Sequence, residues 1–220
     1  MNRRPTRLLT TVVAGTAAAV LLAGCGGADG DSKANDKIAG ADTGTGTETP
    51  SSPTPSATAA GRPKIELPSD LTLVFEDTKT GDPVKDVVLA DSAERMRAVD
   101  AAITGTDPKG EALAYYNTGK AREAALSWVA QFKEAGATLT GQARYYDRKV
   151  TLRSGTSAAL IFCADESKGF SKDKKTQKIA KTPVTKNSYV LYNTRLDKNS
   201  DGVWQTSQII STRGAAQCQP

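Results

Sequence analysis

Hydrophobic and polar positions follow three different patterns along this chain. A continuous apolar run fills residues 8–23, behind Arg3, Arg4 and Arg7. Residues 26–62 then carry almost no large apolar side chain. Patterned apolar positions return from residue 63, at helical spacing first and with a period of two after Gly136.

The helical part begins after a short extended segment at 71–75. Asp82 and Pro83 form an N-cap and first-turn pair for a helix running to about residue 103, with Gly105 as its stop. Asp107 and Pro108 repeat the device for a second helical region over 111–135, which Gly119 can break in two. In that region Ala125, Trp128, Val129 and Phe132 stand at i, i+3, i+4 and i+7, one apolar face, and Gly136 closes it. Beyond Gly136, 138–153 reads as a strand with Val150 and Leu152 in register, Ser154-Gly155 as a turn, and 156–164 as a buried strand ending near Cys163. Segments 189–196 and 203–212 make a further hairpin around Asn199-Ser200-Asp201-Gly202. Helices followed by a strand meander predict an α+β domain, with N-terminal helices packed on one face of a curved antiparallel sheet of about four strands.

The apolar run at 8–23 is short for a membrane span and has the layout of a secretory signal peptide. Its exit, Leu22-Ala23-Gly24-Cys25, resembles the lipobox of bacterial lipoproteins, in which the cysteine thiol is alkylated before the signal is cleaved. The expected organisation is therefore a signal over 1–24, a lipidated Cys25 opening a stalk over 25–62, and one domain over 63–220. The stalk, with its Thr/Ser/Pro run at 47–58, cannot bury enough apolar surface to offset chain entropy. Two or three acyl chains would hold such a protein at the outer face of the cytoplasmic membrane.

Charge and cysteine content sharpen this picture. Of the formal net charge of +5, the three arginines of the first segment supply a large share, and nucleic acid is a poor partner for an exported chain. Once Cys25 is lipidated, Cys163 and Cys218 are the two thiols left, and an oxidising exterior favours a bridge between them. No Cys-x-x-Cys spacing marks a redox site.

The element order, helices and then four strands with the last two in a long hairpin, resembles the cone-shaped fold of the nuclear transport factor 2-like superfamily. The segments 202–205, 213–218 and Cys163-Ala164-Asp165-Glu166-Ser167 are similar to those of small lipoproteins of high-GC Gram-positive bacteria. The superfamily resemblance implies a space between helices and sheet, and a homodimer through the open sheet face. Fold does not give function, because the superfamily has no universal motif.

The chain has no histidine, which removes Ser-His-Asp and Cys-His nucleophiles and most zinc or copper sites. No cofactor is expected. Cone enzymes such as ketosteroid isomerase use a carboxylate as base, and here Asp147, Asp165 and Glu166 are the corresponding candidates. Tyr115, Tyr116, Tyr145, Tyr146, Trp128 and Trp204 are numerous enough to line a cavity or simply to pack the core. Asp197, Asn199 and Asp201, with Gly202, match the first half of an EF-hand loop, but position twelve is Gln208, and the same residue types suit a hairpin turn. Lys168, Lys172, Lys174, Lys175, Lys178 and Lys181 form a basic stretch, expected as a loop between the hairpins, that could meet anionic lipid headgroups or wall polymers. The reading these features favour is a surface lipoprotein with a non-catalytic binding or interaction domain. Its rivals are a small-molecule binder or carboxylate-based enzyme using the cone interior, and an accessory subunit of an envelope complex.

Overall fold

The structure, a computed structural model, describes residues 61–220. The lipobox with Cys25, the signal at 1–24 and nearly all of the stalk lie outside the described residues.

Strand β1 (Leu71–Phe75) leads to helix α1 (Pro83–Thr104), which starts and stops where the sequence indicates. The Asp82 carboxylate accepts from the N–H groups of Val84 and Lys85, and Gly105 takes a left-handed conformation at the C-terminus. The second helical region is two helices, α2 (Glu111–Tyr116) and α3 (Gly119–Glu134). The chain turns extended at Asn117, where it bridges to Thr206.

The sheet is built from β2 (Ala137–Ser154), β3 (Ser157–Asp173), β5 (Tyr189–Lys198) and β6 (Trp204–Arg213), with the two-residue β4 (Ile179–Ala180) against the far end of β3. These pair antiparallel, but β1 joins the β2 edge in parallel, so the sheet is mixed and six-stranded rather than antiparallel and four-stranded. A parallel neighbour needs a long crossover, and the three helices between β1 and β2 provide it. A short extended segment ahead of a helix carries no sign of its future partner, so neither its pairing nor its direction is readable locally.

β2 bends as it crosses the sheet. Its pairing with β3 shifts register between Gln142 and Arg144 and again between Tyr146 and Lys149. Gly141 is required beside the first shift, because its φ is +93° and a Cβ there would meet the Lys168 carbonyl oxygen at 2.1 Å. The bend folds the long β2–β3 hairpin over the helices.

Alternate residues of β3, Ala158, Leu160, Phe162 and Ala164, face the core with Val88, Leu89 and Met96 of α1 and with Trp204. On the opposite side Cys163 bridges to Cys218, Cα to Cα 5.4 Å, and the Tyr146 hydroxyl donates to the Cys218 carbonyl. The bridge therefore fastens the C-terminal turn onto the outer sheet, and spanning 55 residues it restricts the unfolded chain by about 4 kcal/mol on the entropy account.

β3 continues to Asp173, nine residues beyond the expected end at 164, so the basic stretch starts on a strand and is turn and loop only from Lys174 onward, broken by the short β4. Lys168 and Lys172 sit on the strand. Lys172 pairs with Asp70 at 2.5 Å, and Lys174 donates to the Ile103 carbonyl near the C-terminus of α1, where the helix dipole favours a cation. Lys168, Lys175, Lys178 and Lys181 are exposed.

Candidate functional site

Helices and curved sheet enclose a cavity of about 560 Å³. Its apolar lining comes from Leu71 and Leu73 of β1, Met96 and Val99 of α1, Trp128 and Phe132 of α3, and Leu139 and Phe170 of the bent hairpin. Trp128, on the apolar face expected of α3, is 46% exposed and stacks edge-on against Phe132 at 5.1 Å. Its face covers the cavity instead of filling the core, which leaves the space open.

Against this lining stand the neutral Thr140, Gln142, Ser171 and Ser211 and a set of ionisable groups. Arg95 and Asp100 come from α1, Tyr145 from β2, Glu166 from β3, Tyr192 from β5 and Arg213 from β6. Helical spacing places Met96, Asp100 and Ile103 on one face of α1, so the carboxyl is set among apolar neighbours by the pattern of the helix itself. Burial pushes the Asp100 carboxyl up to about 7; the charge of Arg95 opposes the shift and that of Glu166 adds to it. Asp100 keeps part of its surface open, and that opening is to the cavity.

Burial also raises the two phenols, Tyr145 and Tyr192, so both are protonated at neutral pH. Tyr192 stacks on Phe162 at 5.0 Å, and its hydroxyl lies 3.4 Å from Glu166, which also accepts from Arg213 at 2.8 Å. Arg95 is pulled below its ordinary value by burial, with Tyr192, Tyr145 and Asp100 opposing. Its Nε donates to Asn117 Oδ1 at 2.8 Å.

The structure sorts the expected site residues unevenly. Of the three carboxylate candidates Glu166 reaches the cavity, Asp165 pairs with Arg144 at 3.6 Å, and Asp147 is exposed. Tyr145 and Trp128 line the space, whereas Tyr116 and Trp204 are buried in the packing and Tyr115 lies against Tyr116. Asp100, Arg95 and Tyr192 are cavity groups that are not among the residues expected from the sequence. The signal for Asp100 was present: a lone carboxylate on the apolar face of a long helix.

Asn199 Oδ1 accepts from the N–H groups of Asp201 and Val203, and the Asp197 carboxylate is held by Arg195 and Ser207, so these oxygens build the hairpin turn. Among the described residues no cluster of three metal-ligating side chains forms. On the outer sheet Ile161 and Ile210 are 43% and 69% exposed, but Asn193 stands between them in register.

No family model matches the sequence, and no curated protein is similar to it. Solved structures similar to the chain include a ketosteroid isomerase-like protein from Erwinia carotovora, at 16% identity over 61% of this chain and 98% of its own, with a TM-score of 0.39. They include a hexachlorocyclohexane dehydrochlorinase from Novosphingobium barchaimii, at 11% identity over 60% and 90%, TM-score 0.41. A third is the intermembrane space region of the chloroplast protein ARC6, at 12% identity over 61% and 99%, TM-score 0.40. At identities and scores this low they say nothing of what this chain binds. The observed fold class is the one expected from the sequence, α+β with helices packed on a curved sheet.

Proposed function

We propose that this is a lipid-anchored envelope lipoprotein whose domain binds a small, mainly apolar molecule inside the cone. The observation that carries the binding reading is the open, apolar cavity of about 560 Å³ with a few convergent polar groups, within the range that holds a drug-sized ligand. A cone filled by its own side chains would have favoured an outer-surface interaction instead. The anchor rests on Leu22-Ala23-Gly24-Cys25 behind the basic, apolar leader, and the exposed lysines Lys168, Lys175, Lys178 and Lys181 would sit well beside anionic lipid or wall polymer.

A second reading, proton transfer on the bound molecule, is favoured by one observation. Asp100, with its carboxyl near 7, can both take and give a proton at neutral pH, which is what a general acid–base group requires.

Binding is tested by titrating the purified protein with the fluorescent amphipathic probe 8-anilinonaphthalene-1-sulfonate and repeating the titration with Ala124→Trp, whose ring should fill the mouth from the exposed side of α3. Saturable enhancement that the substitution lowers at least fivefold in affinity supports the cavity. Enhancement unchanged by the substitution would remove it. The anchor is tested by labelling cells that express the full chain with an alkyne fatty acid: Cys25→Ala should lose the label and leave the membrane fraction unlipidated.

A further inference from the structure

One charge of the cavity has no ion-pair partner among the described residues. Arg95 is 6% exposed and forms part of the cavity lining. Nε is engaged by Asn117, and Nη1 approaches Met96 Sδ at 3.1 Å. Among the described residues Nη2 has no acceptor, and no carboxylate forms an ion pair with the group. A guanidinium stays protonated under ordinary conditions, so the apolar lining carries a full positive charge. Buried charge of this kind is costly unless it is paired, and a cation open to an apolar cavity is satisfied when an anion arrives with the ligand.

The groups facing Arg95 support this from every side. Glu166 of β3 is already held by Arg213 of β6. Tyr145 of β2 and Tyr192 of β5 are neutral hydroxyl donors. β1 and α3 contribute apolar side chains alone, Leu71 and Leu73 from the one and Ala124, Ala125, Trp128 and Phe132 from the other. Thr140, Gln142, Ser171 and Ser211 also line the cavity but carry no charge, so the carboxylate that remains is Asp100, which makes no hydrogen bond to Arg95 and is uncharged below about pH 7.

We propose that the cavity takes an amphipathic organic anion, a monocarboxylate with an aliphatic or aromatic tail, its head on Arg95 and its tail between Trp128, Phe132 and Phe170. This rests on the binding reading above and names its ligand class. With Asp100 protonated, its O–H donates to the ligand carboxylate beside Arg95. With Asp100 ionised, it supplies the counter-charge from within the protein and repels the ligand. Affinity therefore falls as pH rises through neutrality.

The purified protein is titrated at pH 6 with decanoate, decanol and decylamine, each below its aggregation limit, by calorimetry and by tryptophan emission. Trp128 is the reporter, because Trp204, the other tryptophan, is 1% exposed in the core. Decanoate is ionised at this pH, a carboxyl in water having a pKa of about 4. It should bind at least tenfold more tightly than decanol, with decylamine weaker than either, and should weaken about tenfold between pH 6 and pH 8.5. Asp100→Asn should abolish that pH dependence, and Arg95→Gln should reduce decanoate to the level of decanol. Equal binding of decanoate and decanol overturns the inference while leaving the binding reading intact. Preference for decylamine overturns it by making Asp100 the ligand's partner, and binding of none overturns both. The three-ligand comparison uses the unsubstituted protein, so it stands even where Arg95→Gln fails to fold.

Discussion

Two aspartates stand nine residues apart on α1, about two and a half turns, and the protein treats them in opposite ways. Asp91 is fully buried and completely engaged: Arg62 pairs with it, and the backbone N–H of Trp204 donates to it at 2.8 Å. Asp100 faces the cavity, with no hydrogen bond to its carboxyl from the described residues and with apolar neighbours that raise it to about 7. The first ties the segment before the domain and the start of β6 to one point of the helix. The second leaves an unmet requirement where a ligand can reach it. A buried polar group whose partners are all supplied by the fold is structural, and one whose partners are lacking points to a function.

The largest effect is expected of Asp91→Ala. It strands the Arg62 guanidinium and the Trp204 N–H, and breaking a buried pair from one side typically costs about 3 to 5 kcal/mol. The chemical-denaturation midpoint should fall accordingly. A loss under 1 kcal/mol would mean that Asp91 is no more a structural node than a surface residue.

Asp100→Asn should act in the opposite direction and depend on pH. A carboxyl whose folded value lies above its unfolded value of 3.8 binds its proton more tightly in the folded state. Its contribution to stability is full below about pH 4 and is lost as pH rises through about 7. Each pH unit between those two values is worth about 1.4 kcal/mol, so the wild type gives up about 4 kcal/mol over that window relative to a neutral residue. The substitution should therefore raise stability by about 3 to 4 kcal/mol at pH 8.5 and leave it nearly unchanged at pH 4. Equal effects at the two pH values would show that Asp100 titrates like an exposed carboxylate.

The two aspartates also mark where the sequence was legible. The bounds of α1 were, because Asp82, Pro83 and Gly105 act within a turn of themselves. The buried first half of β3 and the Cys163–Cys218 bridge were legible too, one from a run of apolar residues and the other from a count of cysteines. The parallel pairing of β1 was not, since its partners lie about 70 residues away, and neither were the register shifts that bend β2, which depend on how β2 meets β3 across their hairpin. For the same reason the strand-end carboxylates drew attention and Asp100 did not. Its chemistry comes from the bend that brings Leu139, Phe170 and Tyr145 over α1, and only an odd polar residue on an apolar helix face announces it. Arg62, assigned to the stalk by composition, belongs with the domain through Asp91.

The smallest expected effect separates the two buried arginines in the same way. Arg148, 4% exposed, donates through Nη2 to the Leu89 carbonyl at 2.5 Å and to Ser92 Oγ at 3.0 Å, and burial pulls it down to about 10. Arg148→Met removes donors from a site that water cannot refill, so it should cost about 1 to 3 kcal/mol. Arg95→Met keeps the length of the side chain, removes an unpaired charge from the cavity lining and gives up the bond to Asn117. These terms oppose each other, so at pH 6, where Asp100 is largely neutral, the net change should stay within about 1 kcal/mol. Thermal unfolding of the two variants side by side decides it. A loss at Arg95 as large as that at Arg148 would place Arg95 in the scaffold, and the cavity would then have no unpaired charge to offer a ligand.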